Sequence, residues 1–276
     1  MKRIVNTLDK LNSGKRACAV FVLCATTAIA LPAQTFTTLY SFDGTDGEAY
    51  AGLVQATNGD FYGTNDGTIF KITAGGTLTT LSVALSYGGL VQATNGDFYG
   101  TTFEGGSDFG TVFSLSMGLK AFLEIQSTSG KEGAKVGILG QGFSSSSVVK
   151  FGGTKATTIV LSGTTYITAT VPAGALTGSV TVTTGSTTLT STKTFKVLPT
   201  ITSFTPSSGP VGTSVTITGT GLKQTTKVTF SGKSASFTVV SDTEVTATVP
   251  TGATTGKIIV TTKGGSVTSA TSFTVN

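Results

Sequence analysis

Short segments in which apolar and polar residues alternate fill the chain from about residue 36 onward. The segment SVTITG, Ser214–Gly219, alternates with a period of two, and glycines or prolines bound most such segments. This alternation is typical of half-buried β-strands. Gly, Thr, Ser and Val are poor helix formers, whereas Thr and Val suit strands. The pattern therefore predicts an all-β fold.

The beginning of the chain has a different pattern. Residues 1–16 carry five basic residues against one acid, and the 15 residues 17–31 form an apolar run. A basic segment, a short apolar run and small residues after it predict a secretory signal peptide over residues 1–34, cleaved after Ala30 or a few residues later. The run is shorter than the ~20 residues of a spanning helix. An uncleaved anchor and a lipoprotein acylated at Cys24 remain the alternatives.

A 13-residue motif occurs twice in the first half of the chain. GLVQATNGDFYGT stands at Gly52–Thr64 and again at Gly89–Thr101, and a GTIF or GTVF element follows each copy. Asn-Gly between alternating segments is a strong hairpin signal, because both central residues of the favoured two-residue turn take positive φ. Each copy therefore predicts a strand, an Asn-Gly turn, an aromatic strand, a glycine loop and a further strand.

These motifs, with LYSF at Leu39–Phe42 and YGTTFEGGSDFGTVF at Tyr99–Phe113, resemble the GloVer-type (choice-of-anchor) tandem repeats of bacterial secreted proteins. The resemblance implies β-propeller blades, but a propeller needs about 4–8 of them. We therefore expect residues 35–118 to form a short propeller-like or β-meander segment. It would be an eroded remnant, a small open sheet, or a piece that self-associates through its uncovered edges.

A second, longer repeat fills residues 119–276. ITATVPAGALTGSVTVTT at Ile167–Thr184 recurs as VTATVPTGATTGKIIVTT at Val245–Thr262. Together with ITSFTPSSGPVGTSVTITGTGL at Ile201–Leu222, these motifs resemble the IPT/TIG domain. The resemblance implies two immunoglobulin-like β-sandwiches in tandem, over residues 119–198 and 199–276.

Composition narrows the possible chemistry. Only 11% of the residues are charged, against a usual ~25%, and histidine is absent. The absence of histidine excludes His-ligated metal sites and imidazole bases. The net charge of +5 is the sum of +4 over residues 1–34, −7 over residues 35–116 and +8 over residues 117–276. The basic part has no arginine, the residue on which DNA-binding proteins rely most, so we expect no nucleic-acid partner.

Serine–lysine pairs and acidic residues are the remaining candidates for chemistry, and no Ser-x-x-Lys motif stands at the start of a recognisable helix. Glu48 and Glu104 are the glutamates of the repeat segment, and nothing in their spacing predicts the close pair that a glycosidase needs. DGTDGE, with Asp43, Asp46 and Glu48, resembles a fragment of a calcium loop, although a glycine turn in which aspartates cap backbone amides explains it more simply. We therefore predict no catalytic, cofactor-binding or metal-binding residues, and no exposed aromatic platform for sugars.

The sequence predicts a non-enzymatic, exported structural or adhesive protein, located outside the cell, on its surface or in the periplasm. In this interpretation the Ig-like domains serve as spacers or interaction modules, and the partner is an unidentified surface polymer or protein. No stable membrane span is expected once the signal peptide is removed. A carbohydrate- or polymer-binding accessory module is the alternative. A hydrolytic enzyme, which needs adjoining carboxylates in a cleft, is the third hypothesis.

Overall fold

Strands supply all the regular secondary structure in the described part of the computed structural model, and the all-β prediction is confirmed. The structure describes residues 36–43, 45, 47–49, 51–83, 86 and 88–276. The predicted signal peptide lies outside the described residues. Residues Leu39–Asn276 form one compact unit.

Seven strands belong to the repeat segment. They are β1 (Val54–Gln55), β2 (Phe61–Asn65), β3 (Thr68–Ile72), β4 (Leu78–Val83), β5 (Val91–Gln92), β6 (Phe98–Thr101) and β7 (Val112–Leu115). The first four make an antiparallel sheet in the order β1-β2-β3-β4, and the last three make a sheet in the order β5-β6-β7. Each repeat therefore folds as a small meander whose neighbouring strands are consecutive in the chain.

The two Asn-Gly sequences lie in hairpins, but the turns differ from the predicted type. In the first repeat the Gly59 amide donates to the Ala56 carbonyl at 2.9 Å, and the Ala56 amide donates to the Asp60 carbonyl at 2.9 Å. Only the glycine takes positive φ, +90° at Gly59, whereas Asn58 does not. The loop therefore has three residues, and its glycine alone occupies the left-handed region.

Aromatic residues from both repeats meet in one small core. The rings of Tyr62 and Phe98 lie 4.3 Å apart between centroids, and both side chains are almost completely buried, together with Ala56. Because the two motifs are identical, Tyr62 of the first repeat corresponds to Tyr99 of the second, and Phe98 of the second corresponds to Phe61 of the first. The packing thus buries a different aromatic position from each copy.

Nine strands form the first sandwich. They are β8 (Glu124–Ile125), β9 (Ser129–Gly130), β10 (Lys135–Leu139), β11 (Val148–Phe151), β12 (Thr154–Lys155), β13 (Ile159–Ser162), β14 (Tyr166–Thr170), β15 (Gly178–Thr184) and β16 (Thr187–Val197). One sheet has the order β13-β14-β10-β8 and the other the order β12-β11-β15-β16-β9. The short β9 pairs with β16 in parallel, whereas the other pairs are antiparallel.

Nine further strands form the second sandwich. They are β17 (Thr200–Thr205), β18 (Ser208–Gly209), β19 (Ser214–Thr220), β20 (Thr225–Phe230), β21 (Lys233–Ala235), β22 (Phe237–Val239), β23 (Glu244–Thr248), β24 (Gly256–Thr262) and β25 (Gly265–Val275). The sheets have the orders β17-β19-β23-β22 and β18-β25-β24-β20-β21. Each strand has a counterpart in the first sandwich, in the same chain order.

The two sandwiches bury equivalent residues. Phe151 and Phe195 pack edge to face at 5.1 Å in the first, and Phe230 and Phe273 pack edge to face at 5.3 Å in the second. All four rings are at most 1% exposed, and alternate positions of the central strands join them in the core. The period-two pattern of the sequence is thus the inward and outward alternation of these strands.

Backbone and side-chain hydrogen bonds link the repeat segment to the first sandwich. The Phe122 amide donates to the Thr94 carbonyl at 2.9 Å, and Gln141 Nε2 donates to Thr94 Oγ1 at 3.0 Å. Thr94 Oγ1 in turn donates to the Gly140 carbonyl at 3.3 Å. The loop of the second repeat hairpin is therefore hydrogen-bonded to the end of the first sandwich.

Candidate functional site

A groove of about 680 Å³ lies where the repeat hairpins meet the first sandwich. The VQAT sequences of both repeats, Val54–Thr57 and Val91–Thr94, line one wall. The opposite wall consists of Phe122, Glu124, Leu139, Thr192 and Lys193. The volume of the groove is in the range of small-molecule sites, and the two walls combine apolar surface with a few polar side chains.

The repeat wall is organised by a glutamine. Gln92 Oε1 accepts a hydrogen bond from the Thr57 amide at 3.0 Å, and Gln92 Nε2 lies 3.3 Å from Thr57 Oγ1 and 3.2 Å from the Gly96 carbonyl oxygen. Gln92 therefore joins the two repeats. Its counterpart Gln55 is exposed, and its amide donates to the Gly59 carbonyl of its own hairpin at 3.3 Å.

An ion pair lies on the sandwich wall. Lys193 Nζ is 2.6 Å from Glu124 Oε1, and Thr192 Oγ1 donates to Glu124 Oε2 at 3.1 Å. The side chain of Phe122 is half-buried beside them, and Leu139 is 37% exposed. This wall presents an apolar surface next to a carboxylate whose two oxygens both have a partner.

The groove offers several groups that can form hydrogen bonds. Its polar groups are glutamine amides, threonine hydroxyls and one ion pair, and within it no cysteine or histidine is available as a nucleophile or base. Amides and hydroxyls donate and accept hydrogen bonds, and the apolar positions exclude water from a bound chain. The groove thus offers hydrogen-bonding groups beside apolar surface.

Among the acidic residues considered from the sequence, Asp43, Glu48 and Glu104 lie in the described part of the chain. Asp43 Oδ1 accepts from the Thr45 amide at 3.0 Å and from its hydroxyl at 2.7 Å, which is the amide-capping role predicted for a glycine turn. Glu48 and Glu104 are both exposed and lie in different loops. Asp46 lies outside the described residues. Within the part of the chain that the structure describes, no three acidic, cysteine or histidine residues are grouped as metal ligands.

Two exposed phenylalanines in the second repeat were missed by the sequence analysis, which predicted no exposed aromatic platform. Phe103 is 69% and Phe109 95% exposed, and they line a second concave surface with Glu104 and Asp108. The available signal was the insert between Thr101 and Gly110, which the first repeat lacks. Aromatic residues in a glycine-rich insert have no strand to bury them, and these two face solvent.

Two β-sandwiches of one topology, joined directly, define a tandem Ig-like protein. The model of the IPT/TIG domain matches residues 123–197 and 199–275, which is more than half of the chain. The chain therefore belongs to the IPT/TIG domain family. The GloVer-type resemblance of the preceding repeats stays a prediction.

Parts of this chain are similar to parts of several solved structures. SGBP-B from a complex xyloglucan utilization locus in Bacteroides uniformis is 19% identical, with 55% of this chain and 48% of that chain covered and a TM-score of 0.28. The surface glycan-binding protein PbSGBP-B from Prevotella bryantii is 18% identical over 58% of this chain and 40% of that chain, with a TM-score of 0.39. The Plexin A4 extracellular region is 20% identical over 55% of this chain and 18% of that chain, with a TM-score of 0.30. This chain thus spans less than half the length of each.

A comparison with curated proteins finds no match. In the described residues, no helix has the length and hydropathy needed to cross a bilayer.

Proposed function

We propose that the protein is an exported, non-enzymatic binding protein whose tandem IPT/TIG domains present the repeat segment to a surface polymer or protein. The predicted signal peptide over residues 1–34 supports export. We divide the remaining chain into repeats over residues 35–118 and sandwiches over residues 119–198 and 199–276. The groove between the first sandwich and the repeats is the proposed contact site.

The groove carries this proposal because both parts of the protein build it. The repeat wall is held by hydrogen bonds between the copies, and the opposite wall belongs to the first sandwich, to which the second hairpin is hydrogen-bonded. A site whose walls are fixed before binding loses less conformational entropy when a ligand binds. Its hydrogen-bonding groups are suited to adhesion to a polymer.

Binding to isolated surface material tests the contact site. The purified chain is titrated against insoluble cell-wall polysaccharides and surface-protein extracts, and saturable binding is expected. Lys193→Ala removes the ammonium from the groove and is expected to weaken binding roughly tenfold. Lys196→Ala, an exposed lysine of the same strand outside the groove, is the matched control. Absence of saturable binding, or equal effects of the two variants, would contradict the proposal.

Export is tested separately by fractionation. Cells expressing the chain with and without residues 1–34 are fractionated and probed with external protease. We expect the complete chain outside the cytoplasm and the shortened chain inside it. The same location for both would remove the export part of the proposal and leave the binding part standing.

The second candidate is a carbohydrate-binding accessory module. The observation that favours it is the glutamine and threonine wall facing the half-buried ring of Phe122, since amides bind sugar hydroxyls and a ring contacts the apolar face of a sugar. An array of soluble oligosaccharides separates the two candidates. Competition by a defined oligosaccharide, lost in Phe122→Ala, would favour the carbohydrate module, whereas binding that no sugar competes would favour a protein partner.

A further inference from the structure

Two carboxyl groups from different sandwiches meet at the junction between them. Glu132 lies in the loop between β9 and β10, and Asp242 lies in the loop between β22 and β23. Glu132 Oε1 accepts from the Gly174 amide at 2.8 Å, and Asp242 Oδ2 accepts from the Gly221 amide at 3.3 Å. The carboxyl of Glu132 is also within hydrogen-bonding reach of Asp242 and of the Gly221 amide.

One oxygen of this pair lacks a donor. In the described structure Asp242 Oδ1 is buried and has no hydrogen-bond partner. A buried carboxylate oxygen without a hydrogen-bond donor raises the free energy of the folded protein, because it has lost its contact with water. Two adjacent carboxylates that are both ionised raise it further, because like charges repel. One proton held between the two groups would remove both costs, because a protonated carboxyl donates to its ionised neighbour.

We propose that Glu132 and Asp242 share a proton across the junction, and that this shared proton makes the docking of the two sandwiches dependent on pH.

The electrostatics of the pair agree with the geometry. The pKa of Glu132 is raised from 4.5 to about 7, mainly by burial and further by its hydrogen bond to Asp242 and the negative charge of Asp242. Hydrogen bonds from the backbone amides of Gly174 and Gly221 lower the pKa of Glu132 and so offset part of this increase. Glu132 in the docked protein therefore binds its proton more tightly than a free glutamate does.

Other charges around the pair do not neutralise it. In the described part of the chain, the ion pairs are Lys71–Asp60 and Lys193–Glu124, and neither includes Glu132 or Asp242. The charged residues on the adjoining segments of both sandwiches are Lys131, Lys135, Lys196, Lys223, Lys263 and Glu244. The five lysines are exposed, and Glu244 is half-buried and adds negative charge. Asp242 supplies the charge that acts on the pKa of Glu132.

The sign of the pH dependence follows from the raised pKa. Because the docked state holds the proton more tightly than the separated state, docking is strongest below pH 4.5 and weakens as the pH rises through about 7. One pKa unit corresponds to a tenfold change in an equilibrium constant, and water screens part of the shift at a half-buried group. We expect the ratio of docked to separated junctions to fall roughly tenfold between pH 5 and pH 8.

Neutral contacts hold the rest of the junction. The Thr177 amide of the first sandwich donates to Gln224 Oε1 of the second at 2.8 Å. Gly264 lies so close to the Val197 carbonyl that a Cβ there would collide with it. Because each sandwich also has its own core, loss of the shared proton loosens the junction and leaves both domains folded.

Amide NMR of the full chain tests the inference, since the Gly174 and Gly221 amides touch the two carboxyls. We expect both resonances to titrate with a midpoint near pH 7, together with a change in the relative orientation of the sandwiches measured by residual dipolar couplings. Glu132→Gln keeps a donor for Asp242 without a titrating proton, so the transition and the reorientation should vanish. Glu244→Gln is the matched control and should retain both.

Three results would overturn the inference. The first is a titration midpoint below pH 5 in the parent chain, and the second is a transition that survives in Glu132→Gln. The third is a midpoint near pH 7 with no change in the relative orientation of the sandwiches. Should Glu132→Gln fail to fold, Asp242→Asn provides a second test, because it removes the negative charge of Asp242 but leaves Glu132 buried. The midpoint of the titration should then fall below that of the parent chain, and an unchanged midpoint would overturn the inference. The inference does not depend on the binding groove, and Lys193→Ala leaves this titration unchanged.

Discussion

Truncation of Phe98 tests whether the two repeats fold as one unit. The ring is fully buried against Tyr62, at 4.3 Å between centroids, and it is the aromatic that the second repeat contributes to the shared core. Replacing a buried phenylalanine with alanine costs about 3–5 kcal/mol, from lost transfer energy and the cavity left behind. The ring pair adds about 0.5–1.5 kcal/mol. We expect Phe98→Ala to destabilise the repeat segment by about 4 kcal/mol.

Phe61→Ala is the matched control. Phe61 occupies the same motif position in the first repeat, but its side chain is only half-buried. We expect a cost of about 1–2 kcal/mol, because less apolar surface returns to water and no closed cavity forms. Two residues with identical neighbours in sequence should therefore differ by about 2–3 kcal/mol.

Hydrogen exchange followed by mass spectrometry suits this measurement, because three cores share the chain and a single melting curve mixes them. In Phe98→Ala, peptides covering β2 and β6 should lose protection together, while β14 and β23 keep theirs. Equal costs for the two substitutions would refute the reasoning. So would loss of protection in β6 alone with β2 unaffected, because the repeats would then be separate units.

Three further predictions concern the junction, the hairpins and the groove. Gly264→Ala places a Cβ against the backbone of the first sandwich and should lower the free energy of unfolding by about 1–3 kcal/mol in thermal denaturation. Gly52 has open space around it, so the control Gly52→Ala should change that free energy by less than about 0.5 kcal/mol. Asn95→Ala removes the side-chain hydrogen bonds of Asn95 to Asp97 and Tyr99 and should cost about 1 kcal/mol in urea unfolding. A neutral result would show that the backbone turn suffices. Lys193→Met breaks the partly exposed ion pair with Glu124 and should change the free energy of unfolding by no more than about 1 kcal/mol. A loss above about 2 kcal/mol would mean that the ion pair stabilises the fold.

Local pattern was enough to predict the strands, because alternation with a period of two reflects one buried face, whatever that face packs against. Motifs such as ITATVPAGALTGSVTVTT at Ile167–Thr184 also carried the family resemblance, because the glycines and prolines that end the strands occupy fixed places in the fold. The all-β class and the tandem IPT/TIG domains were therefore accessible from the sequence, and both are confirmed.

The site was not accessible in this way, because its parts are distant in the chain. The groove joins residues near 55, 92, 122 and 193, and only the docking of the second hairpin onto the first sandwich brings them together. The exposed Phe109 was missed for a related reason. The sequence shows that a phenylalanine is hydrophobic, but it does not show whether another part of the chain covers the ring. In this fold no segment of the described residues covers Phe109, which is exposed.

The sequence by itself determined the all-β class, the alternation along the strands and the family to which the sandwiches belong, since these follow from local periodicity and turn residues. Tertiary structure decided how identical residues differ. Gln92 joins the repeats where Gln55 is exposed, and Phe98 is buried where Phe61 is half-buried. It also placed Glu132 beside Asp242, two ordinary acids in the sequence, because the environment that changes the chemistry of a carboxyl is supplied by residues far along the chain.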